Sequence, residues 1–363
     1  MEELDKNIDE TMRGIDFGDL DKIAEGLGSG DMGIFSGESF FSKVGKILDG
    51  SFATDYGNMF SAILGLLGGV IADIMPMIVL IVAISILSGF INNLRHHNSG
   101  DGVRDIIHFV TYTAIVVIVL YAVADVVIMT GRTLTLMRTQ MEIIFPILLT
   151  LMATIGGTAS SSIYQPAVTM LSMGVMQIFT YVVMPIFMIT LVFSVIGNLS
   201  ATQKYDKFVS FFSSMFKWIL GLTFTIFIGF LSIQGITAGK FDSISIRATK
   251  FAMSSYVPIL GGYLSQGFDL IMASSVLIKN AIGVAGLYLM FAVVLTPILK
   301  IAVLSLGLKL AAAVTQPLAD GRISNFLTSI TKSFSMLVAV LVGAAFMYFL
   351  TVGLVIITGN GGL

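Results

Sequence analysis

Residues 143–203 read IIFPILLTLMATIGGTASSSIYQPAVTMLSMGVMQIFTYVVMPIFMITLVFSVIGNLSATQ, a run without a single lysine, arginine, aspartate or glutamate. A water-soluble fold cannot hydrate such a run, because about a quarter of a soluble domain is charged. Lipid is the solvent it matches. A bilayer core of about 30 Å is crossed by roughly 20 apolar helical residues, so the run holds at least two crossings. A small, polar patch, Gly156-Gly-Thr-Ala-Ser-Ser-Ser-Ile-Tyr-Gln165, divides it. As one helix the second piece, Ala167–Asn198, would be about 48 Å long at about 1.5 Å per residue. It therefore tilts strongly, projects into water or breaks near Pro185.

The rest of the chain divides by solvent in the same way. Of 363 residues, 56% are hydrophobic and only 12% charged. Residues 1–50 carry 12 acids and 5 bases, whereas residues 51–363 carry 10 acids and 15 bases. An acidic, partly amphipathic N-terminal segment, 1–60, thus precedes a multi-span membrane domain, 61–363. Candidate spans are Pro76–Asn92, Ile106–Met129, Met141–Ile155, Ala167–Asn198, Trp218–Ile236, Val276–Thr296, Pro297–Val314 and Phe334–Ile357. Ala62–Ile74 and Phe251–Met272 are too short or too rich in Gly and Ser to assign. They span, re-enter or lie at the interface. The expected fold is an all-α, polytopic bundle of about seven or eight transmembrane helices. A β-barrel is excluded, since its strands alternate polar and apolar, whereas Ile78–Ala83 and Leu337–Val342 are apolar on every face. Helices alone satisfy their own backbone in lipid.

In the N-terminal segment, Leu20, Ile23 and Leu27 recur at helical spacing. A second stretch sets Phe41, Val44, Leu48 and Phe52 on one face and Lys43, Lys46 and Asp49 on others. It lies in the bilayer interface or folds back on its own protein. Met1–Asp31 contains no basic start followed by an apolar run, so the first span is expected to direct membrane entry. All seven prolines lie in or beside apolar stretches. Pro76, Pro166 and Pro297 fit helix starts, where the missing N–H has no partner to lose, and Pro146 and Pro185 fit kinks.

Several chemistries are absent. No cysteine is present, which removes disulfides, thiolate metal sites and thiol nucleophiles. His96, His97 and His108 sit at a loop and a helix entry and make no buried metal site. No Gly-x4-Gly-Lys-[Ser/Thr] phosphate loop occurs, so nucleotide hydrolysis by that route belongs to another polypeptide. Gly28-Ser-Gly-Asp31 resembles the Gly-x-Gly-Asp of intramembrane aspartyl proteases but lies in the acidic head, not in a span. The mild overall acidity gives no footprint for nucleic acid. No catalytic residue, cofactor or metal is expected. Equal numbers of bases flank the 218–236 span, so charge bias assigns no orientation.

Charges within apolar stretches remain as site candidates, because each is expensive inside a bilayer. Asp125 lies near the exit of the second span and Lys279 in Ser274-Ser-Val-Leu-Ile-Lys-Asn280. Lys300 and Lys309 share one helix about 180° apart, roughly 13 Å along its axis. They are expected to snorkel toward opposite headgroup layers. Lys279 has no interface-rich flank on its C-terminal side and is the stronger functional candidate. Gly65 with Gly69, Gly283 near Gly286, and Gly343-Ala-Ala permit close helix contact.

The stretch Lys250-Phe-Ala-Met-Ser-Ser-Tyr-Val-Pro-Ile-Leu-Gly-Gly-Tyr-Leu-Ser-Gln-Gly-Phe-Asp269, followed by Ser274–Gly286, resembles the stage III sporulation protein AE family of endospore-forming bacteria. Phe145–Gly157 and the segments Ile298–Lys300 through Gln316–Asp320 are similar to further parts of that family, so the likeness covers about residues 60–357. The resemblance implies a permease-like, non-enzymatic subunit of a channel complex linking mother cell and forespore. It places the chain as a multi-pass protein of the mother-cell membrane around the forespore. Implied partners are other membrane subunits, a separate ATPase subunit and ring-forming proteins. On this reading Lys279, Asn280, Asp125, Lys300 and the Pro258, Gly261, Gly262, Asp269 segment lie near the conduit or at helix-packing positions. The alternative from another class is a stand-alone secondary transporter of a small solute. Interrupted segments in matching halves would favour it, but the 145–166 and 258–286 blocks share only Pro and Gly-Gly.

Overall fold

The computed structural model describes residues 2–28, 39–52, 56–94, 101–199, 205–256, 261–317 and 321–358, and among these there is no β-strand. Three short helices come first: α1 (Glu2–Arg13), α2 (Gly18–Gly28) and α3 (Phe40–Leu48). Two long ones follow, α4 (Tyr56–Leu94) and α5 (Asp101–Thr154). Residues 158–199 then form one helical run. It consists of α6 (Thr158–Thr169), a π-helical turn (Met170–Val175), α7 (Met176–Ile178), a second π turn (Phe179–Val183) and α8 (Met184–Leu199). The chain ends with α9 (Asp206–Tyr256), α10 (Gly261–Thr315) and α11 (Gly321–Ile357).

Among the described residues, six helices are long and apolar enough to cross a membrane: Phe60–Phe90, Phe109–Thr154, Thr158–Gly197, Asp206–Gln234, Leu270–Thr315 and Gly321–Ile357. The apolar stretches of the sequence therefore merge. Residues 62–74 run without interruption into 76–92. The stretches 106–129 and 141–155 share α5, and 276–296 and 297–314 share α10. Nothing in the intervening segments stops a helix. Arg138, between the two stretches on α5, forms with Glu142 an i,i+4 ion pair of 2.8 Å that supports the helix. The apolar part of α5 spans 46 residues, about 69 Å of helix. Even a tilt of about 40° cannot fit that into a hydrocarbon core of about 30 Å. The α5 and α10 helices project out of the membrane.

Prolines behave differently from expectation. Pro76, Pro166 and Pro297 lie inside α4, α6 and α10 rather than at their starts. Within a packed bundle neighbouring helices compensate the lost backbone bond. Pro146 lies inside α5. Pro185 is the second residue of α8, in the first turn after the second π turn, where the ladder is already re-registered.

The core centres on α10, which packs against α11, α5 and α4 and, over shorter lengths, against α9, α3 and α1. Contacts met in descending α10 fix the register. Ser324 Oγ donates to the Ala312 carbonyl at 3.0 Å. Lys300 meets Asp125 at 2.8 Å, and the Gly286 carbonyl accepts from Gln140 at 2.7 Å. Lys279 reaches the end of α11. Thus α5 and α11 both run antiparallel to α10. The α5–α6 corner is a Schellman turn. Gly156 adopts φ +84°, its N–H reaches the Ala153 carbonyl at 3.1 Å, and the Gly157 N–H reaches Met152 at 3.0 Å. Phe193, Phe208 and Phe212 stack across the α8–α9 corner with centroids 5.1 and 5.7 Å apart.

The N-terminal helices fold back on the protein. Phe17, Leu20, Phe40 and Val44 are buried, Ser39 caps α3 through Ser42 N–H at 3.1 Å, and Asp21 accepts from the Phe40 N–H. The buried face is rotated from the one the sequence suggests. Phe41 is exposed, and Lys43, expected outside, is 5% exposed. Its ammonium lies 5.5 Å from the centre of the Tyr288 ring on α10, so a cation–π contact replaces the water it gives up. Phe52 meets the same ring edge-on at 5.3 Å.

Candidate functional site

The end of α11 poses a chemical problem that Lys279 solves. The last four carbonyls of any helix lack intrahelical donors, and the helix dipole concentrates negative charge there. In an apolar bundle water is not at hand to satisfy them. Lys279, wholly buried on α10, donates to the carbonyls of Val355 (3.2 Å), Ile356 (3.0 Å) and Thr358 (2.7 Å). An ammonium has three donors and no acceptor. Here it acts as a helix cap supplied by a neighbouring helix. The Tyr164 hydroxyl on α6 lies 2.9 Å from Thr358 Oγ1, so three elements, α6, α10 and α11, converge on one C-terminus.

About two turns along α10 a second polar bridge crosses the core. Gln140 on α5 donates through Nε2 to the Gly286 carbonyl at 2.7 Å and to Tyr348 Oη at 3.2 Å. The approach depends on glycine. A Cβ at 286 would sit 2.8 Å from Ile144 Cδ1 and 3.1 Å from Tyr348 Oη, and one at 283 only 2.6 Å from Ile356 Cδ1. The small-residue spacings read from the sequence thus divide. Gly283, Gly286 and Gly343 lie against neighbouring side chains, whereas Gly65 and Gly69 face open space.

Asp125 and Lys300 were separate candidates in the sequence; the fold joins them across α5 and α10 at 2.8 Å, with side chains 54% and 30% exposed. Lys300 therefore pairs rather than simply snorkelling, while Lys309 on the same helix is exposed. Asn280 is half-buried beside Lys279, with Oδ1 buried and without a hydrogen-bond partner among the described residues. Pro258 lies outside the described residues. Gly261, Gly262 and Asp269 lie on the first turns of α10, whose backbone is helical. The 251–272 stretch, left open between spanning, re-entering and lying at the interface, is helical over 251–256 and from 261 onward. Lys279 and Asn280 sit about 30 Å along α10 from the Lys300 level at roughly 1.5 Å per residue, so the candidates form two stations, not one site. No group of three or more His, Asp or Glu side chains able to hold a metal occurs among the described residues.

Sequence reasoning missed Gln140, Tyr348 and Tyr164 as bridge residues, and it missed the polar outer face of α6. There two adjoining grooves, about 690 and 470 Å³, share Gln165, Thr169 and Met173, the second extending to Glu142 and Thr150 on α5. The available signal was Gln165, Thr169 and Gln177 recurring in a span with no charge.

A family model for stage III sporulation protein AE matches residues 39–359, the whole bundle from α3 to the end of α11. The chain belongs to the stage III sporulation protein AE family. A relative described as stage III sporulation protein AE, from Bacillus subtilis (strain 168), is 25% identical over 280 residues, covering 77% of this chain and 70% of the relative. No solved structure matches. Membership and the six apolar helices together make this a sporulation-related, multi-pass membrane protein.

Proposed function

We propose that the chain is the permease-like integral membrane subunit of a channel complex joining mother cell and forespore, seated in the mother-cell membrane around the forespore. It works without hydrolysing nucleotide or transforming what passes. Energy comes from a separate ATPase subunit, and the conduit is completed by other membrane subunits and ring-forming proteins. The observation that carries this reading is the family match over residues 39–359, which coincides with a bundle of six apolar helices. Two features of the molecule support it. The sequence carries no phosphate loop. The α5 and α10 helices are too long for one bilayer, so the bundle offers surface beyond the membrane for partners.

The test is purification of the tagged, full-length chain from sporulating cells in mild detergent. Recovery together with further membrane proteins and an ATPase subunit is expected. Recovery of the chain alone, combined with ion-coupled uptake of a small solute by that chain in liposomes, would overturn the reading in favour of a stand-alone secondary transporter.

A further inference from the structure

The apolar part of α5 is too long for one bilayer, and its outward side chains change character part-way along. Between Ile106 and Ile128 they are mostly apolar, with Phe109, Val110, Val117 and Tyr121 60–82% exposed. Thr113 and Asp125 interrupt them, and Asp125 is neutralised by Lys300 at 2.8 Å. That stretch rises about 33 Å at about 1.5 Å per residue, which matches the thickness of a hydrocarbon core. Between Arg132 and Thr154 the outward residues are Arg132, Thr135, Thr139, Glu142, Thr150 and Thr154, with Leu136 and Pro146 as exceptions. The inward ones, such as Met141, Ile144 and Leu148, stay apolar. Apolar inside and polar outside is the pattern of a helix set against water.

The helical run 158–199 changes at the same level. It packs back along α5. Near the corner its outward residues are Thr158, Ser162, Gln165, Thr169 and Gln177, with Pro166 and Met173 as exceptions. Beyond Tyr181 they become Val182, Met188, Ile189, Val192 and Ile196. On each helix the change falls roughly 25 residues from the Gly156–Gly157 corner, about 37 Å along the axis. Threonine and serine can hide a hydroxyl on their own backbone, as Thr169 does on Gln165 at 3.0 Å. The guanidinium of Arg132 and the carboxamides of Gln165 and Gln177 have more donors than such a contact absorbs.

The N-terminal helices join the polar side. The Gln140 bond to Gly286 sets Tyr288 level with Arg138, above the change. There the Tyr288 ring receives Lys43 and Phe52. On α1 and α2, Lys6, Glu10 and Glu25 are exposed, as are the pairs Arg13–Asp9 and Lys22–Asp19. Charge at that density is too expensive for hydrocarbon. From the same level α4 descends beside α10, with Ile78 close to Gly307, and exposes Phe60, Leu64, Val79 and Leu87.

We propose that on the α5–α6 side hydrocarbon ends between Ile128 and Arg132, and that above this level the flank, together with α1–α3, faces water. The two grooves of about 690 and 470 Å³ are then filled with solvent, and the carboxamides of Gln165 and Gln177 are hydrated. Across the bundle, α10 and α11 still expose Leu277, Val284, Phe346 and Phe349 above that level. The aqueous space therefore borders the upper half on one side. The inference is independent of what the complex transports.

The absence of cysteine makes the test direct. Full-length chains carrying Thr139→Cys, Thr150→Cys or Thr169→Cys are compared with chains carrying Leu87→Cys, Val117→Cys or Val192→Cys, all at exposed positions. Each is expressed without other sporulation proteins. The membranes are opened transiently, so that a membrane-impermeant maleimide reaches both faces. Modification several-fold faster at the three threonine positions is expected, once normalised to labelling in denaturant. In a second series Thr150→Lys and Thr169→Lys insert at the wild-type level, whereas insertion of Val117→Lys and Val192→Lys falls several-fold. Equal modification rates in the two sets overturn the proposal. So does a loss of insertion for Thr150→Lys and Thr169→Lys that matches the loss for Val117→Lys. Protection of Thr150→Cys and Thr169→Cys where lysine is tolerated also overturns it, and means that another polypeptide covers the flank.

Discussion

The Lys279 end of the bundle and the outer face of α6 carry the same kinds of polar group in the same kind of apolar helix, yet in opposite states. At the first, three carbonyls and two hydroxyls meet donors and acceptors of this chain within 3.2 Å. At the second, two carboxamides point outward and meet none among the described residues. The contrast separates two uses of polarity. A polar group satisfied within the chain fixes how its helices pack. One left open on an outer face takes no part in how the chain's own helices pack. Substitutions at the two regions are therefore expected to divide cleanly, the first kind weakening the isolated chain and the second sparing it.

The largest effect is expected at Lys279. Lys279→Met keeps the apolar stem and removes all three donors, so the α11 carbonyls are left without partners in a largely dry place. Each unsatisfied buried group costs about 1–3 kcal/mol. Some relief comes from water at the outermost, part-buried carbonyls, which leaves a net loss of about 3 kcal/mol. Unfolding of the purified chain in detergent micelles, followed by helical signal, reads the change. A midpoint unaltered by Lys279→Met would mean that the cap is decorative and that the contrast between the two regions is false.

Gly286→Ala comes next. The added methyl would lie 2.8 Å from Ile144 Cδ1 and 3.1 Å from Tyr348 Oη, both held in the core, so α5 or α11 must retreat. Overpacking of this kind costs about 1–3 kcal/mol, and the retreat also lengthens the Gln140 bond to the Gly286 carbonyl. The same unfolding assay is expected to place Gly286→Ala between Lys279→Met and the wild type. A companion Gly65→Ala, made where a Cβ meets nothing within 4 Å, is expected to leave the midpoint in place or raise it.

How far these regions can be seen in the sequence follows from what each depends on. Solvent preference is local and legible: the charge-free run 143–203 and the sparse charges beyond residue 50 identify the bundle. Lys279 stands out for the same reason, as a charge where lipid forbids one. Its partners do not, because Thr358 lies 79 positions away and a backbone carbonyl leaves no mark on composition. Asp125 and Lys300 are each conspicuous, but their pairing depends on the antiparallel register of α5 and α10. Helix continuity is hidden for another reason. Apolar windows measure what surrounds a segment, not whether its backbone keeps turning, so α5 and α10 read as two spans each. The polar outer face of the 158–199 run is the least legible, since Gln165 and Gln177 share a face only through π turns, which have no simple residue signature.

The smallest effect is the sharpest test of the contrast. Gln165→Leu and Gln177→Leu replace two exposed amides with an apolar side chain of similar size, and no hydrogen bond among the described residues is lost. For the isolated chain in detergent the expected change in stability is within about 0.5 kcal/mol, as for surface substitutions that touch no special feature. A double variant that unfolds as easily as Lys279→Met would place these amides among the groups that hold the fold, and the division between inner and outer polarity would collapse.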